Sequence, residues 1–449
     1  MLSKFLAPAR ANAILARCDD LARITEEPGR ITRSYLSPAM ERANALVSSW
    51  MHELGMDVER DHAGNLIGSL SGESPDGEDR PLLVFGSHLD TVRNAGRYDG
   101  ILGVLLSLAA VESCLGTPLP FDLEVVAFAD EEGLRFGVPF LGSRAMVGPL
   151  AGSILERRDL CGVSVSEAIR EWGGEPGAIT CRYAGRRLLG FVEPHIEQGP
   201  VLESRDLPLG VLSSIYGSRW LRLRFRGQTG HAGTTPMDQR QDALAGAAEW
   251  IVEAERIGQA EPGLVVTVGK LEVSPGAGNV IPGAVELSLD VRHDKGAVLD
   301  RAVGTLLARA RQIGDRRDLT LAHETLNHGT GIRASEELSR ILGQAVAEAT
   351  GDEPPRLGIG AGHDAMIMAQ IMPVAMLMIR SPGGISHHPD EAVLPADVEA
   401  AIESLERFTE RLADGDWRRL AVPESNRAGK SLPDKAESGL ETSGAEEIP

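Results

Sequence analysis

Cysteine is scarce in this chain: four occur in 449 residues, Cys18, Cys114, Cys161 and Cys181, far apart and with no CxxC pair. That spacing leaves no disulfide framework and fits a reducing compartment. Long apolar runs are also missing, so no stretch reaches the length of a transmembrane span. The N-terminus holds Lys4 and Arg10 around an apolar run too short for a secretory signal. It reads instead as an opening helix over 10–22. The protein is therefore expected in the cytoplasm, with no membrane partner. Basic excess is absent as well. A formal net charge of −20 argues against nucleic acid as a partner, because a phosphate backbone demands Lys and Arg. No internal repeat is visible.

What remains has the composition of a globular protein, at a length that exceeds what one hydrophobic core supports, so two domains are expected. Ser37-Pro38 reads as an N-cap with proline at the first helical position, and Gly55 as the stop. Leu66–Leu70 and Phe121–Ala129 read as strands and Ile101–Cys114 as a buried helix. From Val211 the pattern changes to a compact module. Arg219–Arg226 alternates as a half-buried strand does, Asp242–Ile257 is helical, and Leu264–Val273 and Val285–Arg292 are strands. Val298–Ile313 is helical and Leu319–His323 a final strand, giving the order β-α-β-β-α-β.

The fold class is therefore α/β, with a mixed-sheet domain interrupted by a ferredoxin-like module. The expected boundaries are 1–212 and 327–416 for the two parts of the larger domain and 213–326 for the insertion. A tail follows over 417–449, poor in apolar residues beyond Pro423 and expected to be disordered. In the resumed domain, helix Ser335–Ala349 leads to Gly358–Asp364, which opens a Met-rich helix. Pro373–Ile379 is a buried strand, and Pro395–Leu412 a last helix.

Chemistry gathers where the buried strands end. Gly86-Ser87-His88-Leu89-Asp90-Thr91-Val92 follows the apolar run Pro81–Phe85, and Gly96–Gly100 brings Asp99 soon after. Phe121–Ala129 ends in Asp130-Glu131-Glu132, and Pro373–Ile379 leads to Ser386-His387-His388. In open α/β sheets the carboxyl ends of strands are where ligands bind. His88, Asp90, Asp99, Glu131, Glu132, His195 and His387 make seven metal-type side chains of mixed N and O character, which suits Zn, Mn or Co. Five ligands with one bridging carboxylate are enough for two divalent ions about 3.5–4 Å apart. Asp90, two residues after His88, would face away and orient the imidazole. For His88 alone the alternative is a loop histidine bonded to an aspartate. The Met366, Met368, Met372 stripe reads as core.

As a set, the motifs GSHLDTV (86–92), YDG (98–100), DEEG (130–133), HIEQGP (195–200), GHAGTTPM (230–237), NVIPG (279–283), DVR (290–292), GAGHDA (360–365) and SHHPDE (386–391) resemble one family. It is the amidohydrolase branch of the metal-dependent aminoacylase and carboxypeptidase superfamily, which includes allantoate amidohydrolases, N-carbamoyl-L-amino-acid hydrolases and β-alanine synthases. The resemblance covers about residues 12–415. It implies His88, Asp99, Glu132, His195 and His387 as ligands of two divalent ions, Zn or Mn with Co or Ni as alternatives, and Asp99 as the bridge. It implies Glu131 as the general base that takes a proton from water and passes it to the leaving nitrogen. His195 stands where peptidase relatives usually place an acidic ligand.

The resemblance also implies a homodimer formed through the inserted module, with His231 reaching the partner's site to stabilise an oxyanion. Arg292 would clamp the substrate carboxylate beside Asn279, and Gln198 would face its polar groups. The loop through Gly362 and His363 would offer backbone N–H groups to an anion, unless His363 simply caps the helix that follows. Glu193-Pro194 before His195 and Thr229-Gly230 before His231 depart from the family pattern and bear on substrate preference. The function expected is hydrolysis of the ureido C–N bond of a small carboxylate. Allantoate comes first, because Ile31–Pro38 and Trp50–Met56 resemble that branch; an N-carbamoyl-L-amino acid is the alternative, favoured by Gly217–Leu221. A dipeptidase or aminoacylase, or a non-catalytic binding protein on the same fold, stands further off.

Overall fold

A computed structural model of the chain describes residues 7–73 and 80–420. The expected disorder beyond Pro423 and the first six residues lie outside that range. The chain divides into two compact units. One holds the residues up to Ser213, then Ala334–Leu357 and the chain from Ala361; the other holds Ser214–Arg333 with Gly358–Gly360.

In the first unit, apolar runs too short for helices become strands. Asp122–Phe128, Leu82–His88, Leu188–Ile196 and Val374–Ile379 lie side by side in that order, all parallel. Leu82–His88 and Leu188–Ile196 are buried along their whole length, as strands covered on both faces must be. Antiparallel strands flank this centre. Leu66–Leu70 and then Asp57–Arg60 extend one side, and Leu209–Ile215 pairs with Val374–Ile379 on the other. The sheet is therefore mixed.

Helices pack on this sheet. Ile101–Cys114 is buried on nearly every side and lies against the strands that carry His88 and His195. Phe85 meets Phe408 of the Pro395–Ala413 helix edge to face, with ring centroids 6.2 Å apart. Ser37 caps Pro38–Glu53 by accepting the Met40 N–H, and Ser335 caps Glu336–Thr350. The opening helix begins at Ala7, three residues earlier than its amphipathic pattern suggests. The expected Met-rich helix is one short turn, Asp364–Met368. The four cysteines are free thiols. Among the described residues no helix is long and apolar enough to cross a membrane.

The second unit is an antiparallel sheet with two helices. Thr320–Gly329, Gly217–Arg226 and Ala284–His293 are neighbours in that order. The expected strand over 264–273 is broken into Val265–Thr267 and Leu271–Ser274, which share the far edge of Ala284–His293. The strand expected to end at His323 runs on to Gly329, so the unit extends past 326 to Arg333. Burial alternates along Gly217–Arg226, with Leu221, Leu223 and Phe225 turned inward. They pack with Trp250 of helix Ala243–Ala260 and Leu306 of helix Gly296–Arg316. The Trp250 indole N–H finds the Leu306 carbonyl at 2.9 Å, which satisfies its only donor inside the core.

Candidate metal centre

Parallel strands finish at one edge of a sheet, and this edge is where the first unit collects its donors. His88 is the last residue of its strand, and His195 stands one residue from the end of the next. Asp122–Phe128 runs on into Asp130-Glu131-Glu132, and the loop after Ile379 returns with His387. The turns are tight enough to force left-handed backbone on three residues that are not glycine: Asp130, Gln198 and His387 have φ of 60°, 57° and 56°. Such conformations persist where the surroundings over-determine them, and they cluster at functional sites.

Asp99 stands between two sets of donors. Its Oδ1 lies 3.2 Å from His195 Nε2 and 3.8 Å from His88 Nε2. Its Oδ2 lies 3.1 Å from His387 Nε2, which in turn lies 3.4 Å from Glu132 Oε1. Thus His88, Asp99 and His195 form one group and Asp99, Glu132 and His387 another, the ligand atoms of each within 4.8 Å of one another. Two further groups meet the same limit: His88 with Glu131 and Glu132, and Glu193 with His195 and His363. His387 rather than His388 faces Asp99; His388 is exposed and accepts the Asp390 N–H.

The rings are oriented by carbonyls. His88 Nδ1 is 3.0 Å from the Asp90 backbone oxygen, and His195 Nδ1 is 2.9 Å from that of Ile196. A carbonyl only accepts, so Nδ1 carries a proton in each ring. In His195, kept neutral by burial, Nε2 turns a lone pair toward Asp99. Burial would lower His88 too, but Asp90, Glu131 and Asp99 outweigh it and raise that ring well above the ordinary imidazole range, so that a cation would displace its Nε2 proton. The two Nε2 atoms are 3.5 Å apart. Lone pairs and a carboxylate converging in a buried place are the donor set of a divalent cation, so these residues fit one. Asp90 has a second duty beside the one its sequence position suggests. Its Oδ1 is 3.6 Å from His88 Nδ1, while its two oxygens accept the N–H groups of Glu131 and Glu132 at 3.0 and 3.1 Å. The backbone oxygen and the carboxylate of Asp90 both face the His88 ring, and the carboxylate also holds the neighbouring strand end in place.

Protons and cations compete for these atoms. Burial pushes Asp99 up, but the His387 hydrogen bond and the nearby imidazoles outweigh it and hold its carboxyl well below the usual range. Glu132 is pushed up to about 7 by burial and by the charge of Asp99. The bond to Asp99 raises His387 to about 9, against its own burial. Burial lowers His195 to about 4, so that ring is neutral near pH 7. Burial, with Glu132, Asp364 and Asp90 adding to it, lifts Glu131 well above an ordinary carboxyl.

Gln198 donates from Nε2 to both oxygens of Asp99, and the Ser381 hydroxyl accepts its backbone N–H. His363 is buried with its ring 4.3 Å from that of His195, and neither of its nitrogens has a partner among the described residues. It makes no side-chain cap for the helix that follows, contrary to the capping alternative. Gly362 lies under Phe140, whose ring would stand 2.7 Å from a Cβ there.

The remaining expected residues belong to the second unit. His231 is exposed in a two-residue strand paired with Val280–Ile281, and its Nδ1 accepts the Gly233 N–H at 3.0 Å. Asn279 is adjacent, its carbonyl accepting the Ala232 N–H. Arg292 is held by Asp290 at 2.7 Å and donates to the Gly360 carbonyl. Sequence reasoning passed over Ser386 and Glu391, although both sit in the SHHPDE motif. It also passed over Asp130, whose buried oxygens have no partner among the described residues. An acidic residue directly before two glutamates in DEEG is the available signal.

Comparison with known proteins gives a consistent picture. The sequence model of peptidase family M20/M25/M40 matches residues 84–411. Allantoate deiminase of Arabidopsis thaliana is 38% identical over 430 residues, covering 88% of this chain and 81% of that protein. N-carbamoyl-L-amino acid amidohydrolase of Geobacillus stearothermophilus is 38% identical over 405 residues, covering 89% of this chain and 98% of that protein. The crystal structure of a hydantoinase/carbamoylase family amidase from Burkholderia multivorans superposes with a TM-score of 0.83 at 32% identity, covering 90% of this chain and 98% of that one.

Proposed function

The chain belongs to peptidase family M20/M25/M40, and on that premise we propose that it is a metal-dependent amidohydrolase cleaving the ureido C–N bond of a small carboxylate, allantoate first. The observation that carries this reading is the two-sided environment of Asp99, one oxygen toward His88 and His195 and the other toward His387. We assign His88, His195 and Asp99 to one ion and Asp99, Glu132 and His387 to a second. When bound, a pair of divalent ions supplies Lewis acidity that polarises the ureido carbonyl and eases deprotonation of water.

The chain's own residues do the rest. Glu131, buried and lifted above the usual carboxyl range, takes a proton from the attacking water. It returns that proton to the leaving nitrogen, so ammonia departs and the carbamate that remains loses carbon dioxide. Asp90 keeps Glu131 in place through the backbone N–H at 3.0 Å. Gln198, Gly362 and His363 bind the polar groups of the substrate, and Arg292 with Asn279 binds its carboxylate. His231, contributed by the partner of a homodimer, stabilises the developing oxyanion. Zn or Mn fits the mixed N and O donors. Widely spaced free cysteines support a cytoplasmic setting.

An N-carbamoyl-L-amino acid is the second reading. The Geobacillus N-carbamoyl-L-amino acid amidohydrolase, 38% identical, supports it as the equally similar Arabidopsis enzyme supports the first. Ammonia release from allantoate and several N-carbamoyl-L-amino acids, beside free amino acid release from dipeptides, each with Mn²⁺ or Zn²⁺, separates them. Turnover of allantoate well above the others is expected. Hydrolysis of dipeptides alone would overturn the ureido assignment.

A further inference from the structure

Glu391 lies four residues beyond His387 and is 5% exposed. Burying a carboxylate is costly unless it is well bonded, yet its hydrogen bonds come from neutral groups. Its Oε1 accepts the backbone N–H of Tyr98 at 2.8 Å and of Asp99 at 3.1 Å. Its Oε2 is 3.3 Å from the Ser386 hydroxyl, which is also 3.2 Å from Asp99 Oδ2. The chain at Gly96 is pressed against it so closely that a Cβ there would lie 2.4 Å from the carboxyl group. One side chain thus ties the loop bearing Asp99 to the loop bearing His387, from residues nearly three hundred positions apart.

We propose that Glu391 is a positioning residue for Asp99: it fixes the backbone at 98–99 so that the two carboxylate oxygens face different donor sets, and it keeps His387 in register with them. The role rests on the metal-dependent reading given above. Two backbone N–H groups and a hydroxyl meeting one buried carboxyl group fix both loops from a single side chain, which suits a brace that must not yield. Ser386 has a single hydroxyl proton facing two carboxylates. When cations take the lone pairs of Asp99, Glu391 remains to accept that proton, so Asp99 is released without stranding a buried hydroxyl. Removing the Glu391 carboxylate leaves the N–H groups of Tyr98 and Asp99 unpaired, the second of them buried, and frees the 96–100 loop to turn.

The test uses the full chain, titrated with Mn²⁺ by calorimetry and observed by electron paramagnetic resonance, alongside steady-state kinetics. Wild type is expected to bind two ions with a spin-coupled signal. Glu391→Gln keeps an oxygen for both N–H groups and is expected to hold both ions within about threefold of wild type. Glu391→Ala is expected to bind one ion about 10–100-fold more weakly, the range seen when outer partners of ligands are removed. It should lose the coupled signal and lose kcat more than KM. Should Glu391→Ala not fold, Glu391→Asp, charged but a methylene too short, carries the same expectation. An alanine or aspartate variant with two ions and an unchanged signal overturns the role, as does a glutamine variant as impaired as alanine. A wild-type chain that binds no divalent ion overturns the metal-dependent reading itself.

Discussion

The side-chain amide of Gln198 donates to both carboxylate oxygens of Asp99, at 3.1 and 3.0 Å. The same nitrogen is 3.2 Å from the Ser386 hydroxyl and 3.5 Å from His387 Nε2. A partially positive N–H group thus occupies the Asp99 lone pairs that a cation would need. A hydrogen bond to a charged group contributes about 1.5–3 kcal/mol. Gln198→Ala is therefore expected to bind Mn²⁺ about tenfold more tightly by calorimetry while KM for the ureido substrate rises. Unchanged metal affinity would show that the amide and the ion do not compete.

Glu131 and Glu132 are neighbours in sequence with different expected duties. Glu131→Gln removes the proton acceptor and leaves the carboxylate of Glu132 in place. The expected result is a fall in kcat of about 10²–10⁴-fold with metal stoichiometry unchanged. Glu132→Gln is expected to reduce the stoichiometry itself. Metal content by elemental analysis, read beside kcat, separates the two variants, and identical behaviour would contradict the division of roles.

Metal uptake is expected to strengthen as pH rises. Glu132, lifted to about 7 by burial and by Asp99, is protonated below that value. His387, held near 9 mainly by its bond to Asp99, is protonated across the neutral range. The cation assigned to Asp99, Glu132 and His387 must displace both protons below pH 7 and only that of His387 between 7 and 9. Affinity should therefore rise by about two decades per pH unit in the first interval and about one in the second. Calorimetry in buffers of different ionisation enthalpy counts the protons released, and a pH-independent affinity would refute the assignment of these two groups.

His231 is exposed, and its ring accepts a hydrogen bond from the neighbouring Gly233 N–H. His231→Ala is expected to cut kcat about 10²–10³-fold, as loss of an oxyanion donor does. Because the donor is assigned to the partner subunit, mixing His231→Ala with Glu131→Gln protein should restore activity through hybrid dimers. A mixture no more active than its components would place His231 outside the reaction.

Much of the frame was legible because buried strands announce themselves. Leu82–Phe85 and Val374–Ile379 are short apolar runs bounded by turn residues, and the donors follow each run directly in sequence. Side-chain periodicity does not reveal how far a strand extends once it leaves the core. The edge strand Thr320–Gly329 is half exposed, so its end was read six residues early. The break at 268–270 was hidden for a similar reason, since pairing with Ala284–His293 rather than composition sets it. At the site, residue type and strand position brought out the donors, but not the bonds between loops. That Asp90 holds the Glu131–Glu132 backbone, and that Glu391 reaches Tyr98 and Asp99, depends on contacts between remote segments that no local pattern records.

Anomalous diffraction at the manganese edge, from crystals of the full chain grown with Mn²⁺, tests the central claim most directly. Two peaks about 3.5–4 Å apart are expected on either side of Asp99, one against His88 and His195 and the other against Glu132 and His387. No peak at these side chains, or two peaks undiminished in Asp99→Asn, would contradict it.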